Sequence, residues 1–574
     1  MSNQEMAKIL LEMSELLAMD EVLFKPQAYE RAAESIASFS EDIGVLYTQG
    51  GTKALRTIPG VGQGIAEKIE EYVRTGHVRE YERMKKKLPV DIAGLAQIEG
   101  IGPKAIKVLW EKLQVRDVPS LERAARAGKI AKLERFGKKS EEKILKALEF
   151  MSKGGRRFRL GDVAPYVRKL EAELKSLKTV DELIVAGSYR RWKETVGDVD
   201  ILVVSKKPRE VMNYFVKMPD VVHITAHGET KSMVKMKNGL DVDVRVVPAD
   251  SFGAALNYFT GSKEHNVALR EIAARKGWKL NEYGLFKGAE RIAGKTEEEV
   301  YKKLGLRYIE PEMRENTGEI EASRRNELPD LIGYGDLRGD LQIQTDWTDG
   351  THSITEMALA AAQYGLGYIV ITDHTKTLAM TGGSDEKKLL RQMTEIDRVN
   401  EDLRKKSVKL RVLKGAEVNI MSDGSLDIKD EVLAKLDCVG AAVHSHFKLP
   451  RKEQTARVIR AMENPNVDVI FHLTGRIINK REPIDFDFDA IVQAARKTGT
   501  ILEIDAYPDR LDLRDEHIRK AREAGVKFSI DSDAHAKNQF AVLEYGIAQA
   551  RRGWCEKKDV INTLSAGKML QQLK

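Results

Sequence analysis

Three rhythms of apolar and polar residues follow one another along the 574 residues of the chain. Up to about Gly154 the apolar positions recur at helical spacing, with lysine-rich faces and short breaks containing glycine. This predicts an all-α region. The middle of the chain changes to a period of two. In Gly197-Asp198-Val199-Asp200-Ile201-Leu202, Asp198 and Asp200 share one face of a strand while Val199 and Ile201 take the other. In the run from Leu240 to Val247, Asp241, Asp243 and Arg245 fall on one face, and Asn238-Gly239 just ahead supplies a tight hairpin turn. From Leu337 onward, short apolar runs alternate with helical stretches, the pattern of a βα barrel.

The breaks in the helical region repeat a theme. Ile58-Pro59-Gly60-Val61-Gly62 precedes one helix and Ile98-Glu99-Gly100-Ile101-Gly102 precedes another, each reading as helix, hairpin, helix. The glycines let the backbone turn so that N–H groups at the next helix start face a phosphate, a contact that carries no base information. With Lys68, Lys104 and Lys107 nearby, the pair points to DNA, with Gly60, Gly62, Gly100 and Gly102 as contact positions. Phe136-Gly137-Lys138-Lys139-Ser140 is a weaker third echo. A basic, Gly-containing joint at 152–157 reads as a hinge, and the charged, Gly- and Pro-broken stretch at 312–336 as an exposed linker.

Composition narrows the setting. The length suits three or four domains, and 42% hydrophobic with 32% charged residues suits a soluble protein. No apolar run approaches a membrane span, and the N-terminal stretch lacks the basic start of a signal peptide. Two distant cysteines, Cys438 and Cys555, indicate neither disulfides nor a thiolate zinc site, so a reducing cytoplasm is expected. A net charge of +7 and a pI near 8.9 permit nucleic acid as partner without requiring it.

The strand faces carry the first candidate chemistry. Asp198, Asp200 and Asp243 in one small volume repel each other unless a hard cation sits between them, and an oxygen-only site suits magnesium. Two such ions serve an in-line phosphoryl transfer. The turn at Gly187-Ser188, followed by Arg190 and Arg191, offers N–H groups, a hydroxyl and guanidinium forks to a triphosphate.

The apolar runs after Leu337 carry the second. Six end in ligand types: Asp373 and His374; Glu417; His444 and His446; His472; Glu503 and Asp505; Asp533 and His535. Side chains just beyond barrel strands converge at the open end, where such folds do chemistry. Seven of the eleven histidines lie in this third of the chain, so metal binding is expected there.

GSYRRWKETVGDVDIL, VDVRVV and YFTGSKEHN resemble the palm and nucleotide-binding segments of the X family of DNA polymerases, the family of DNA polymerase β. The resemblance implies that Asp198, Asp200 and Asp243 hold the metals, that Gly187, Ser188, Arg191 and Arg159 serve the triphosphate, and that Tyr258, Phe259, Gly261 and Asn266 border the incoming nucleotide. Lys263 stands where polymerase β has an aspartate. PGVGQGIAEKIEEY resembles the lyase segment of that polymerase: Lys68 falls on the Schiff-base lysine, and Lys25 and Tyr29 on positions serving the 5'-phosphate. A lysine attacks the sugar aldehyde only as the neutral amine, so its site must lower its pKa.

The final third resembles the PHP (polymerase and histidinol phosphatase) family, which bacterial X-family polymerases carry in this order. Its trinuclear centre implies Asp349, His374, Glu417, His444, His472, Asp533 and His535 as ligands. Where the family has His-x-His after Gly-Asp-Leu, this chain has Gln342-Ile343-Gln344, and a neutral amide is a much poorer ligand than imidazole.

The expected fold is multidomain: an all-α helix-hairpin-helix region, an α+β nucleotidyltransferase palm with an α+β thumb-like subdomain, and an α/β PHP barrel. Its boundaries would fall at 1–85 (lyase-type, first hairpin), 86–155 (second hairpin), 156–248 (palm), 249–311 (nucleotide-selecting subdomain), 312–336 (linker) and 337–574 (barrel). The expected function is gap-filling polymerisation in base excision repair, with 3' end processing and 5'-deoxyribose phosphate lyase activity beside it. Expected cofactors are Mg2+ or Mn2+ in the palm and Mn2+ or Zn2+ in the barrel. Expected partners are gapped or primed DNA and deoxynucleoside triphosphates, with no membrane and a monomeric chain. Two rivals stay open: a repair nuclease or phosphatase whose palm grips DNA, and a polymerase with a structural barrel.

Overall fold

The structure is a computed structural model that describes the chain except residues 1, 2, 20–24, 38, 40–42, 59, 96, 97, 99, 100, 135, 139, 146, 147, 149–156, 379 and 380. Gly100, Pro59, Glu99, Lys139 and the joint at 152–156 therefore lie outside the described residues. The chain divides into two units, Met1–Gly155 and Arg156–Lys574.

The first unit is helical. Helix Gln63–Thr75 buries Ile65, Ala66, Ile69 and Tyr72 along one stripe, and helix Pro103–Leu113 buries Ile106 and Leu109. Each is entered through an extended glycine, Gly62 or Gly102, with no side-chain cap on its first N–H groups. Gly60 has φ +76°, the left-handed turn that a glycine adopts without a Cβ clash.

The second unit opens with a five-stranded sheet ordered Glu182–Val185, Asp198–Val204, Asp241–Val246, Lys231–Met236, Val221–His227. The two acidic strands lie side by side and parallel, with Asp198 opposite Asp241 and Asp200 opposite Asp243. Their valines and isoleucines face the core, so the carboxylates collect on the other face. The hairpin into Asp241–Val246 turns at Asn238-Gly239, where Gly239 has φ +85°. Helices Phe252–Thr260 and Lys263–Arg275, a three-stranded antiparallel sheet and helix Glu297–Leu304 follow.

Residues 312–336 depart from the expected exposed linker. Arg314 and Glu319 are fully buried: Arg314 pairs with Glu297, while Glu319 meets His265 Nδ1 at 2.6 Å and accepts the N–H groups of Asn316 and Thr317. Glu312 accepts from Arg551 at 2.7 Å and from Tyr334 at 2.8 Å. A charged sequence looks the same whether its charges meet water or each other, and here they meet each other.

From Gly339 seven parallel strands run in chain order: Gly339–Ile343, Tyr368–Ile371, Arg411–Asn419, Cys438–Ala442, Val469–Ile470, Ile501–Asp505 and Phe528–Asp531. The first meets the continuation of the last where Ile343 bridges Ala534 and Gln344 N–H donates to the Ala534 carbonyl at 2.9 Å. Both faces of these strands are buried, as in parallel sheets covered by crossover helices. Ile478, Leu511 and Tyr545, from barrel loops and its last long helix, join the palm's hydrophobic core. At Gly161 an added Cβ would lie 2.2 Å from the Pro508 Cβ, so the two layers touch at backbone range.

Candidate functional site

In the palm, Asp200 sits between Asp198 on its own strand and Asp243 on the next. Burial, then the charges of Asp198 and Asp243, push its carboxyl up to about 7. Burial also raises Asp243, against the pull of Lys231 at 3.6 Å and Arg245 at 3.9 Å. The fold thus gathers more negative charge than it neutralises. Gly187, φ +67°, opens the turn above them, and a Cβ there would come within 3.3 Å of Asp200 Oδ2. Ser188 is the next residue of that turn.

Arg191 donates through Nε to Glu315 at 3.1 Å and through Nη1 to the Thr260 carbonyl. It borders Gly261, where a Cβ would lie 3.0 Å from Nη1. Phe259 lies under the Arg245 guanidinium at 4.6 Å and edge-on to the half-exposed Tyr258 at 5.1 Å. Asn266 donates to the Tyr258 carbonyl at 2.7 Å, and its buried Oδ1 has no partner. Lys263 is exposed at the start of its helix. Arg159 is engaged elsewhere: it pairs with Asp162 and with Asp509 of the barrel segment.

At the barrel mouth Glu417 is the hub. Its Oε1 lies 2.8 Å from His472 Nε2 and 2.9 Å from His444 Nε2. Its Oε2 accepts from Gln344 Nε2 at 2.8 Å and Gln342 Nε2 at 3.1 Å, with His374 Nδ1 at 3.4 Å. Burial alone would raise its pKa, but His374 and His444 hold it well below the usual carboxylate range. Asp349 stands 3.7 Å from His374 and 3.8 Å from His535. Burial would lower the pKa of His535, yet Asp533 and Asp349 hold it above the usual range.

The donor atoms of Asp349, His374 and His535, and those of His374, Glu417 and His444, lie within 4.8 Å of one another in each set. Buried Nδ1 atoms of His374 and His472 and Oδ1 of Asp533 have no hydrogen-bond partner. A set of imidazole and carboxylate donors with orphaned atoms fits a cation, so the residues are suited to hold metal.

Other strand ends serve the scaffold. Asp373 accepts from the Thr345 N–H at 2.8 Å, and also from Thr348 and Gln392. Glu503 accepts the His472 N–H, and His446 is exposed. Two functional neighbours were missed in the sequence. Asn419 Oδ1 meets His444 Nδ1 at 2.8 Å and orients that ring, and Arg510 lies 3.9 Å from Asp533. Asn419 ends its strand, the position that marked the other candidates, whereas Arg510 lies in the loop five residues beyond Asp505 and carried no such mark.

In the helical unit Lys25 is exposed at a helix start, and Tyr29 is buried with its ring centroid 5.8 Å from Lys68 Nζ. Lys68 pairs with Glu80 at 2.8 Å. Burial lowers its pKa, but Glu80 and Tyr29 outweigh that, leaving it raised. This runs opposite to the lowering that a Schiff-base nucleophile needs.

Stranded carboxylates short of positive charge, facing a turn rich in phosphate donors, define a metal-dependent nucleotidyltransferase, here continuous with a barrel bearing a second cation-type cluster. Profiles of known families agree by segment: DNA polymerase beta palm over residues 161–238, DNA polymerase beta thumb over 255–315, a helix-hairpin-helix domain over 1–78 and a SAM-like helix-hairpin-helix tandem over 92–149. The DNA polymerase/3'-5' exonuclease PolX of Bacillus subtilis is 36% identical over 546 residues, 94% of each chain. The chain belongs to the PolX group of the X-family DNA polymerases. DNA polymerase lambda of Rattus norvegicus is 27% identical over 45% of this chain and 48% of its own. A probable phosphatase of Thermoanaerobacter sp. is 30% identical over 232 residues, 39% of this chain and 88% of its own.

Proposed function

We propose that this polymerase fills short gaps in base excision repair, with Asp198, Asp200 and Asp243 holding Mg2+ or Mn2+. The observation that carries the reading is the carboxylate trio on two adjacent parallel strands, where Asp198 and Asp243 crowd the buried Asp200 and leave negative charge for a cation to cancel. The bound ions would neutralise charge on the transferring phosphoryl group. Arg191, with Gly187 and Ser188, orients the triphosphate, while Tyr258, Phe259, Gly261 and Asn266 border base and sugar. The extended turns at Gly62 and Gly102, neither of which carries a capping side chain, bring the following helix starts to DNA phosphates irrespective of sequence. Arg159, engaged by two carboxylates, would reach a triphosphate only after releasing them.

A second reading concerns the barrel. Asp349, His374, Glu417, His444, His472, Asp533 and His535 would hold Mn2+ or Zn2+, and the chemistry such an ion would supply here is activation of water for 3' phosphodiester hydrolysis. The amides of Gln342 and Gln344 already occupy Glu417 Oε2, so this 3'-5' exonuclease is weak. Lys68 acts on a 5'-deoxyribose phosphate only when Glu80 releases it, with Lys25 and Tyr29 at the 5'-phosphate.

One gapped duplex ending in a 5'-deoxyribose phosphate tests all three roles, with magnesium and then manganese. Primer extension should be fast, 3' nucleotide release slow, and borohydride trapping absent from Lys68→Ala. Release outpacing extension would replace the polymerase reading with the nuclease one, and undiminished trapping by Lys68→Ala would remove the lyase assignment.

A further inference from the structure

Arg191 is held at three points. Its Nε donates to Glu315 at 3.1 Å, its Nη1 donates to the Thr260 carbonyl, and its own carbonyl accepts from Arg552 Nη1 at 2.8 Å. Arg552 lies on the last long helix of the barrel, Leu543–Arg552, with a side chain only 2% exposed. The same Nη1 donates to Glu315 at 3.1 Å, and Nη2 reaches Asp515. One barrel guanidinium therefore fixes the backbone of Arg191 directly and its guanidinium through Glu315.

The charge count leaves room for a polyanion. Glu315 also faces Lys193 at 3.7 Å, so Arg191, Lys193 and Arg552 share two carboxylates, Glu315 and Asp515. A carboxylate paired with Arg191 alone would cancel the charge a triphosphate needs. Shared among three cations it orients the guanidinium and leaves a net positive charge. The turn itself rests on this region: Trp192, at φ +53°, stacks edge-on to Tyr545 at 5.6 Å and lies 5.8 Å from Tyr334.

We propose that Arg552 and Glu315 are positioning residues for nucleotide binding, through which the barrel presets the palm's triphosphate-binding arginine. The proposal rests on Arg191 contacting the triphosphate, as read above. An arginine held in its bound geometry loses less side-chain freedom when the ligand arrives. Losing that hold weakens nucleotide binding more than it slows the chemical step.

Steady-state filling of a one-nucleotide gap by the full chain tests this through a double-mutant cycle. Arg552→Ala and Glu315→Ala should each raise KM for the incoming nucleotide roughly tenfold, with kcat reduced less than about threefold. In an Arg191→Ala background the same changes should leave KM unaltered. Glu315→Gln, which keeps an acceptor of the same size, should retain most of the affinity and guards against a loss that is only misfolding. A KM effect of equal size with and without Arg191 would make the contacts merely structural and overturn the proposal. So would KM within twofold of the parent in Arg552→Ala and Glu315→Ala. If Arg191→Ala itself leaves KM unchanged, the palm reading fails instead.

Discussion

The palm and the barrel each gather carboxylates on their strands, and Asp200 of the palm and Glu417 of the barrel are neutralised in opposite ways. In the palm Asp200 is crowded by Asp198 and Asp243, and the nearest cations, Lys231 and Arg245, stand off at 3.6 and 3.9 Å from Asp243, so its carboxyl is pushed up to about 7. In the barrel Glu417 is surrounded by three imidazoles and two amides, and its carboxyl is held well below the usual range. The palm leaves charge for an external cation to cancel. Around Glu417 the barrel supplies its own donors, so a metal there competes with groups already in place. The neighbouring Glu503 is pushed up by burial and Asp505, and Asp505 by burial and Asp533, as Asp200 is by its own neighbours.

The largest way to break the comparison is Asp200→Ala. Removing one preorganised electrostatic group should cost on the order of 10²-fold in primer extension, about 2.7 kcal/mol of transition-state stabilisation. Gapped-DNA affinity and 3' nucleotide release should be unchanged. Extension within threefold of the parent would mean that the trio is not where the metal chemistry happens.

Gln342→His with Gln344→His sharpens the barrel side. The two residues are one strand period apart and both point at Glu417, so the pair of imidazoles would reach the same carboxylate oxygen that the amides now occupy. Manganese-dependent 3' release should rise at least tenfold, since losing even an outer-shell partner of a metal ligand typically costs about 10–100-fold. Bound metal, counted by elemental analysis, should rise with it. Robust release by the parent chain that His444→Ala abolishes would show that the amides do not disable the centre.

The difference between the two clusters was only half legible in the sequence. The alternation in GDVDIL and DVDVRV set both acidic faces, and Asn238-Gly239 marked the hairpin, because these are local periodicities. Six apolar runs ending in ligand types foreshadowed the barrel mouth for the same reason. What did not show were pairings between elements, some across long stretches of chain, as Arg159 with Asp509 and Arg552 with Glu315 and Arg191, and some between near neighbours in sequence, as Arg314 with Glu297 and Lys68 with Glu80. A charged residue carries no local mark of its partner. Residues 312–336 accordingly read as solvated, although Arg314 and Glu319 are fully buried.

The smallest effect is a pH signature that separates the two clusters. An unfolded Asp titrates near 3.9, and in the fold burial and the charges of Asp198 and Asp243 push Asp200 up to about 7. Between those values the folded chain holds the proton more tightly than the unfolded chain, so this group's contribution to stability is fully present below about pH 4 and is lost as pH rises through about 7. Glu417, held low, behaves in reverse: its contribution is present at neutral pH and is lost only in strong acid. Other groups titrate in the same range, so the useful quantity is a difference between two chains. Asp200→Asn keeps the shape and cannot ionise. In chelator its melting temperature should match the parent near pH 4 and exceed it by roughly 2–4 °C near pH 8. Magnesium at pH 8 should close that gap by stabilising the parent alone, because the cation supplies the positive charge that the palm lacks. A constant difference across the pH range would show that Asp200 is not held protonated by its neighbours, and the contrast between palm and barrel would lose its electrostatic basis.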